Sequence, residues 1–309
     1  MSEEVFDVIL QSTGHFEADV FAYQQNRPPK DDFSLGDEFW VGSLPNGVRS
    51  DLVFDACAPA CMNFRPARQY GMRYAFCRRV QPDHADYYDW DSQFRLRRTI
   101  FLSRLIRPTT IATDLSARLY FEGQELKTIV AGPTQSLGAQ AWVVAKDDWR
   151  DWLAVSELEL LRHFLTKYNL TPPDRVRQAR KHIDHAFHAF YMDQRCASLV
   201  TSFESLLKVS DYRSTKQFMS KAPRLAEMLG HELTGAEAEV LYKDRSAFVH
   251  GSSVSFTDLS DELIEKYNRF ERVLRLALLR ASTEPDFAEL FSSPEAVEET
   301  FGKGSIQPD

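Results

Sequence analysis

Cysteine is scarce in this chain of 309 residues, which carries only Cys57, Cys61, Cys77 and Cys196. That density excludes a disulfide framework, and in a reducing compartment all would remain thiols acting as small apolar residues. Glycine (13) and proline (14) are too few for a collagen-like or low-complexity chain. No window reaches the roughly 18 unbroken apolar residues of a membrane span. The opening MSEEVFDVIL has neither a basic leader region nor a small-residue cleavage site. The expectation is a cytoplasmic protein with no membrane partner. What is present, 43% hydrophobic and 27% charged residues, suits a folded chain with a real core, in one large domain or two ordinary ones.

Several reaction classes are missing too. The chain has no Gly-x-x-x-x-Gly-Lys-Ser/Thr run, no Gly-x-Gly-x-x-Gly after a strand, no His-Glu-x-x-His and no Gly-x-Ser-x-Gly. P-loop, dinucleotide, zinc-protease and hydrolase readings lose their support. Cys57 and Cys61 have no second ligand pair at zinc-site spacing. His182, His185 and His188 fall at i, i+3 and i+6, with Asp184 and Asp193 nearby. The first two could share an ion, but the third has drifted around the helix, so a solvated polar face is favoured. We expect no metal and no cofactor.

The hydrophobic period divides the chain. Over residues 1–146, short β-branched or aromatic runs alternate with turn residues: EVFDVIL, DEFWVG, RYAFCRRV, FRLRRTIFL, SARLYFEG, LKTIVAG and AQAWVVA. Asn46-Gly47 marks a turn and Glu122-Gly123-Gln124 a hairpin. From residue 147 the period becomes about 3.6. Helices are predicted over 149–168, 174–191, 195–209, 215–229, 234–250 (with Gly251 as cap) and 260–281. The 195–209 helix should bury Cys196, Leu199, Val200, Phe203, Leu206 and Leu207. The predicted fold class is α+β, with a mainly antiparallel β-rich domain at 1–146 and an all-α bundle at 147–281. The acidic segment 282–309, with Phe287, Leu290, Phe291 and Phe301, is expected to fold back as a tail or short docking helix.

The net charge of −8 argues against strong nonspecific nucleic-acid binding. The charge is uneven, however: residues 160–280 hold 19 Lys and Arg against 15 Asp and Glu, whereas residues 281–309 hold one Lys against seven acids. A locally basic surface is compatible with that distribution. Ten arginines between Arg65 and Arg107 interleave with aromatic residues, as phosphate contact and base stacking require, and Arg95, Arg97 and Arg98 are the candidate RNA contacts. The same alternation also fits a half-buried strand whose arginines pair with neighbouring aspartates.

The segment Tyr242-Lys243-Asp244-Arg245-Ser246-Ala247-Phe248-Val249-His250-Gly251 places an Arg and a His five residues apart at a helix end. On a helix they stand about 7.5 Å apart along the axis and about 140° apart around it, flanking one cleft without touching. Arginine can clamp phosphate oxygens while keeping its charge, and histidine passes a proton near neutral pH. Taken alone, Arg-x4-His also describes a surface Arg with a C-terminal capping His.

With the preceding helix Ser198-Leu199-Val200-Thr201-Ser202-Phe203-Glu204-Ser205-Leu206-Leu207, the segment resembles the HEPN superfamily, and within it the ApeA-like branch. The resemblance covers about residues 150–281. It implies a helical domain that forms a homodimer, brings two Arg–His motifs into one cleft and cuts RNA, tRNA among the candidates, without metal. His250 would be the general acid/base, and Arg245 would stabilise the phosphorane charge. Glu204 would orient Arg245 or form a purely structural ion pair with it. Lys243 and Ser246 are supporting residues; Ser246 stands where many nuclease members carry Asn, Asp or His. The first half is similar to the N-terminal region of ApeA-like defence proteins around Phe101-Leu102-Ser103-Arg104-Leu105-Ile106-Arg107-Pro108. With no catalytic motif in it, this half is assigned sensing or binding by elimination, of a trigger such as a phage component. The implied function is an endoribonuclease of abortive anti-phage defence or a toxin. The alternative is a noncatalytic HEPN scaffold that recruits a protein or nucleic acid.

Overall fold

Period-two alternation over Glu3–Thr13 (β1) makes the central strand of an antiparallel sheet. The computed structural model describes residues 3–13, 31–36, 38–57, 74–80, 90–107, 111–131, 153–189, 192–249 and 261–302. The chain forms two compact units: residues 1–141 with 149–166, and residues 142–148 with 167–309.

In the first unit β1 pairs on one side with Tyr74–Val80 (β4) and on the other with Ile111–Glu122 (β5). Phe33–Gly36 (β2), Phe39–Gly42 (β3) and Glu125–Ala131 (β6) complete the order β2-β3-β4-β1-β5-β6. Gly123, at φ +63°, turns β5 into β6 as the predicted hairpin. One sheet face buries Phe6, Val8, Cys77, Ala117 and Leu119 against Val53 of Ser50–Cys57 (α1). The Phe6 ring meets Trp40 and Phe121 edge-on, at 5.9 and 5.5 Å between centroids.

The predicted Asn46-Gly47 turn is present, with φ of +50° and +71°, and leads into α1. One segment of this half differs from the sequence reading. FRLRRTIFL, expected as a strand, lies inside the α-helix Trp90–Ile106 (α2). Its Phe94/Leu96 alternation holds for only a few residues. Over the full run, Leu96, Ile100 and Ser103 recur at i, i+4 and i+7 and are buried, with no Gly or Pro before Pro108. The expected strand AQAWVVA lies outside the described residues.

Val155–Lys167 (α3), expected as the first helix of the bundle, groups almost entirely with the sheet unit. Its Glu157 is buried, accepts a hydrogen bond from the Ala154 amide at 2.7 Å and pairs with Arg107 Nε at 2.8 Å. The carboxylate thus satisfies one orphan donor of the helix start and one guanidinium.

The helical unit begins after Pro172-Pro173 with Asp174–His188 (α4). It continues with Met192–Leu207 (α5), Ser214–Met228 (α6), Gly235–Val249 (α7) and Asp261–Thr283 (α8). On α5, all six residues predicted to face inward are buried. An aromatic cluster draws one residue from each of α5, α6, α7 and α8. Phe203 stacks on Phe270 at 4.1 Å, and Phe218 lies 5.9 Å from Phe203 and 5.4 Å from Tyr242. The acidic tail folds back on this unit as Pro285–Glu289 (α9) and Pro294–Phe301 (α10), with Phe287, Phe291 and Phe301 buried. Arg224 Nη1 on α6 donates to the Phe301 carbonyl at 2.6 Å, and the buried Lys221 ammonium lies 2.8 Å from Glu298. No helix of the described residues is long and apolar enough to cross a membrane.

Burial has a chemical consequence for the thiols. It pushes the Cys196 thiol up to about 12, with Asp244 and Asp193 adding and Tyr267 opposing, and it pushes Cys77 well up, with Asp32 adding. A thiol-directed reagent at pH 8, mapped by peptide mass, is expected to leave both unmodified in native protein and to modify both in urea. The folded state favours the neutral thiols, so their contribution to stability is intact below about pH 8.5 and is lost as pH rises toward the folded value. Native-state labelling of Cys196 at pH 8 would contradict this burial.

Candidate functional site

The geometry around Arg245 follows from packing α7 against α5 and α6. Tyr242, one turn before Arg245, is held by its ring in the aromatic cluster, so its hydroxyl points along the α5–α6 boundary. That hydroxyl lies 3.1 Å from Glu204 Oε1 and 2.9 Å from Ser214 Oγ. Its single proton serves the carboxylate, which leaves the serine hydroxyl to donate to the tyrosine oxygen. The second carboxylate oxygen of Glu204 stands 3.4 Å from Arg245 Nη2. The Arg245 guanidinium also lies over the Tyr242 ring, 5.9 Å from its centroid. Four side chains from three helices therefore form one chain of contacts: Ser214, Tyr242, Glu204, Arg245.

Exposure along this chain is graded. The Glu204 side chain is 11% exposed and that of Arg245 29%. Arg245 Nε is buried with no hydrogen-bond partner among the described residues. The guanidinium is thus held by a carboxylate and a ring, on a side chain that is partly exposed. This arrangement can present a permanent positive charge to an anion and cannot itself move a proton.

Of the other residues singled out in the sequence, Lys243 is exposed and pairs with Glu239 at 2.8 Å, one turn back on α7, away from the Glu204 contact. Ser246 is half-buried on α7. His250 and Gly251 lie outside the described residues. Arg95, Arg97 and Arg98 belong to the other unit, on α2. Arg98 is half-buried there, and the side chains of Arg95 and Arg97 lie outside the described residues.

His182 and His185 do meet on α4, edge to face at 6.2 Å. Burial lowers the His182 imidazole from its ordinary value, His185 and Lys181 add to the shift, and Glu204 opposes it. The His188 side chain lies outside the described residues, and these residues contain no group of three His, Cys, Asp or Glu able to hold a metal ion.

No protein-family model, no curated protein and no solved structure matches this chain. Two contributors to the site had no assigned role in the sequence reading. Tyr242 carried a signal, since an aromatic three residues before an Arg on one helix face can stack with it. Ser214 carried none, because its contact depends on how the α6 N-terminus meets α7.

Proposed function

We propose that the chain is a metal-independent endoribonuclease of the HEPN type, in which Arg245 and His250 act together on a phosphodiester. The observation that carries this reading is the Arg245 side chain, partly exposed and held by Glu204, five residues before His250 in the sequence. In the proposed reaction the ribose 2′-hydroxyl attacks the adjacent phosphorus and loses its proton. Charge accumulates on the equatorial oxygens beside Arg245, and the departing 5′-oxygen takes a proton. His250 is the acid/base for both transfers. One new P–O bond replaces the broken one, giving a 2′,3′-cyclic phosphate and a 5′-hydroxyl. Glu204 and Tyr242 are positioning residues that act through Arg245.

The resemblance extends the proposal to a homodimer of the helical unit, a sheet unit that senses a phage-derived trigger, and a role in abortive defence or as a toxin. Purified protein incubated with total tRNA and a labelled RNA in EDTA is expected to cut, leaving 2′,3′-cyclic phosphate ends. RNA that stays intact with folded, dimeric protein, also in the presence of phage extract, would overturn the reading. The contact between Glu204 and Arg245 is also what a structural ion pair would show, and in that outcome the noncatalytic scaffold stands.

A further inference from the structure

The segment joining α5 to α6, Lys208 to Arg213, is short and tightly fastened, and exposed from Ser210 onward. Gln217, on the first turn of α6, accepts from the Val209 amide at 3.0 Å and donates to the Ser210 and Tyr212 carbonyls at 3.2 and 2.6 Å. Arg175 of α4 donates to the Lys208 carbonyl at 2.6 Å, and Lys208 pairs with Asp211 at 2.8 Å. Arg213 sits in the left-handed region at φ +52°, ψ +41°, a conformation that costs a non-glycine residue of order 1 kcal/mol and persists only where the surroundings impose it.

That conformation displays rather than hides its neighbours. Tyr212 is 69% exposed, the most exposed large apolar side chain among the described residues, and the Arg213 guanidinium lies 4.8 Å from its ring centroid. Lys208 and Asp211 neutralise each other, which leaves Arg213 and the exposed Lys216 as an excess of positive charge at this corner. The next residue, Ser214, begins the chain of contacts that ends at Arg245. An exposed aromatic face on a fastened backbone, with a cation against it and linked through Ser214 to a phosphate-competent arginine, matches the chemistry by which proteins hold unpaired nucleotides: the ring stacks on a base and the cation meets the phosphate. Duplex RNA keeps its bases stacked inside and offers no face to such a ring.

We infer that Tyr212 and Arg213 form a stacking platform for one unpaired nucleobase, which makes single-stranded RNA the substrate class of the Arg245 site. The substrate assignment rests on the ribonuclease reading; binding at the platform does not. The full chain is titrated by fluorescence anisotropy with a fluorescein-labelled 2′-O-methyl oligoadenylate of ten nucleotides, which binds but lacks the attacking hydroxyl. Tyr212→Ala is expected to weaken binding about tenfold or more, and Tyr212→Trp to stay within about threefold of wild type. Arg213→Ala is expected to weaken binding and to reduce the salt slope by about one. An abasic oligomer of equal length is expected to bind weakly and without regard to Tyr212. Because Tyr212 is exposed, its variants are expected to melt with the wild type by circular dichroism.

The platform is overturned if Tyr212→Ala binds as wild type does, if the abasic oligomer binds as tightly as oligoadenylate, or if wild-type protein binds neither. The two readings separate cleanly. Tyr212-dependent binding by a protein that leaves the unmodified RNA intact removes the nuclease and keeps the platform. Cleavage that is indifferent to Tyr212→Ala keeps the nuclease and removes the platform.

Discussion

Arg245→Ala is expected to lower the rate of RNA cleavage roughly 10²- to 10³-fold, the usual effect of removing one preorganised donor from a developing oxyanion. The fold should tolerate the change. Arg245 is partly exposed, and after its removal the Glu204 carboxylate still accepts the Tyr242 hydroxyl at 3.1 Å, so the cost in stability is about 1 kcal/mol. Arg245→Lys is expected to recover only part of the rate, because an ammonium keeps the charge without the planar fork. His250→Ala removes the proton-transfer group, a loss of roughly 10²- to 10⁴-fold. Glu204→Gln keeps an acceptor for Tyr242 but loses the charge facing Arg245, so it should fall between Arg245→Ala and wild type. The readout is single-turnover cleavage in EDTA beside urea-unfolding midpoints. An Arg245→Ala protein that cuts at the wild-type rate would place the chemistry elsewhere.

Phe203→Ala is the converse case, with the large effect on stability. Phe203 is fully buried, stacked at 4.1 Å on Phe270 and edge-on to Phe218 at 5.9 Å. Truncation removes the ring and leaves a cavity among three helices that cannot collapse without moving one of them. The expected loss is about 3–5 kcal/mol, comparable with the whole stability of many domains. It should appear as a large drop in the urea midpoint of the helical unit. Phe203 adjoins Glu204, so the variant should also lose activity as it approaches its midpoint, whereas Arg245→Ala loses activity far below its own. A midpoint shift under about 1 kcal/mol would mean that the cluster is not the core of this unit.

The helical half was legible because its information is local. Cys196, Leu199, Val200, Phe203, Leu206 and Leu207 lie on one face of any helix through them, and the helix ends were marked by Pro172-Pro173. The first half was less legible. In α2 the pair Phe94 and Leu96 imitates a strand, and only the length of the uninterrupted run reveals the helical period. Helix α1 spans two turns, too short for its period to show. At the site, Arg245 was marked by its spacing to His250, and Glu204 by resemblance alone. Ser214, Gln217 and the left-handed Arg213 were invisible, because their roles arise only where α5, α6 and α7 meet.

The tail also fixes an order of events during synthesis. The carbonyl that Arg224 grips belongs to a residue 77 positions later in the chain. At roughly 5–20 residues per second, α6 leaves the ribosome about 4–15 s before α10 can reach it. In that interval the surfaces that take Phe291 and Phe301 are open to water and to other chains, while α7, which bears Arg245, is already made. The helical unit therefore matures after its motif is translated, and a nascent chain passes through a stage in which the motif exists on an unsealed bundle.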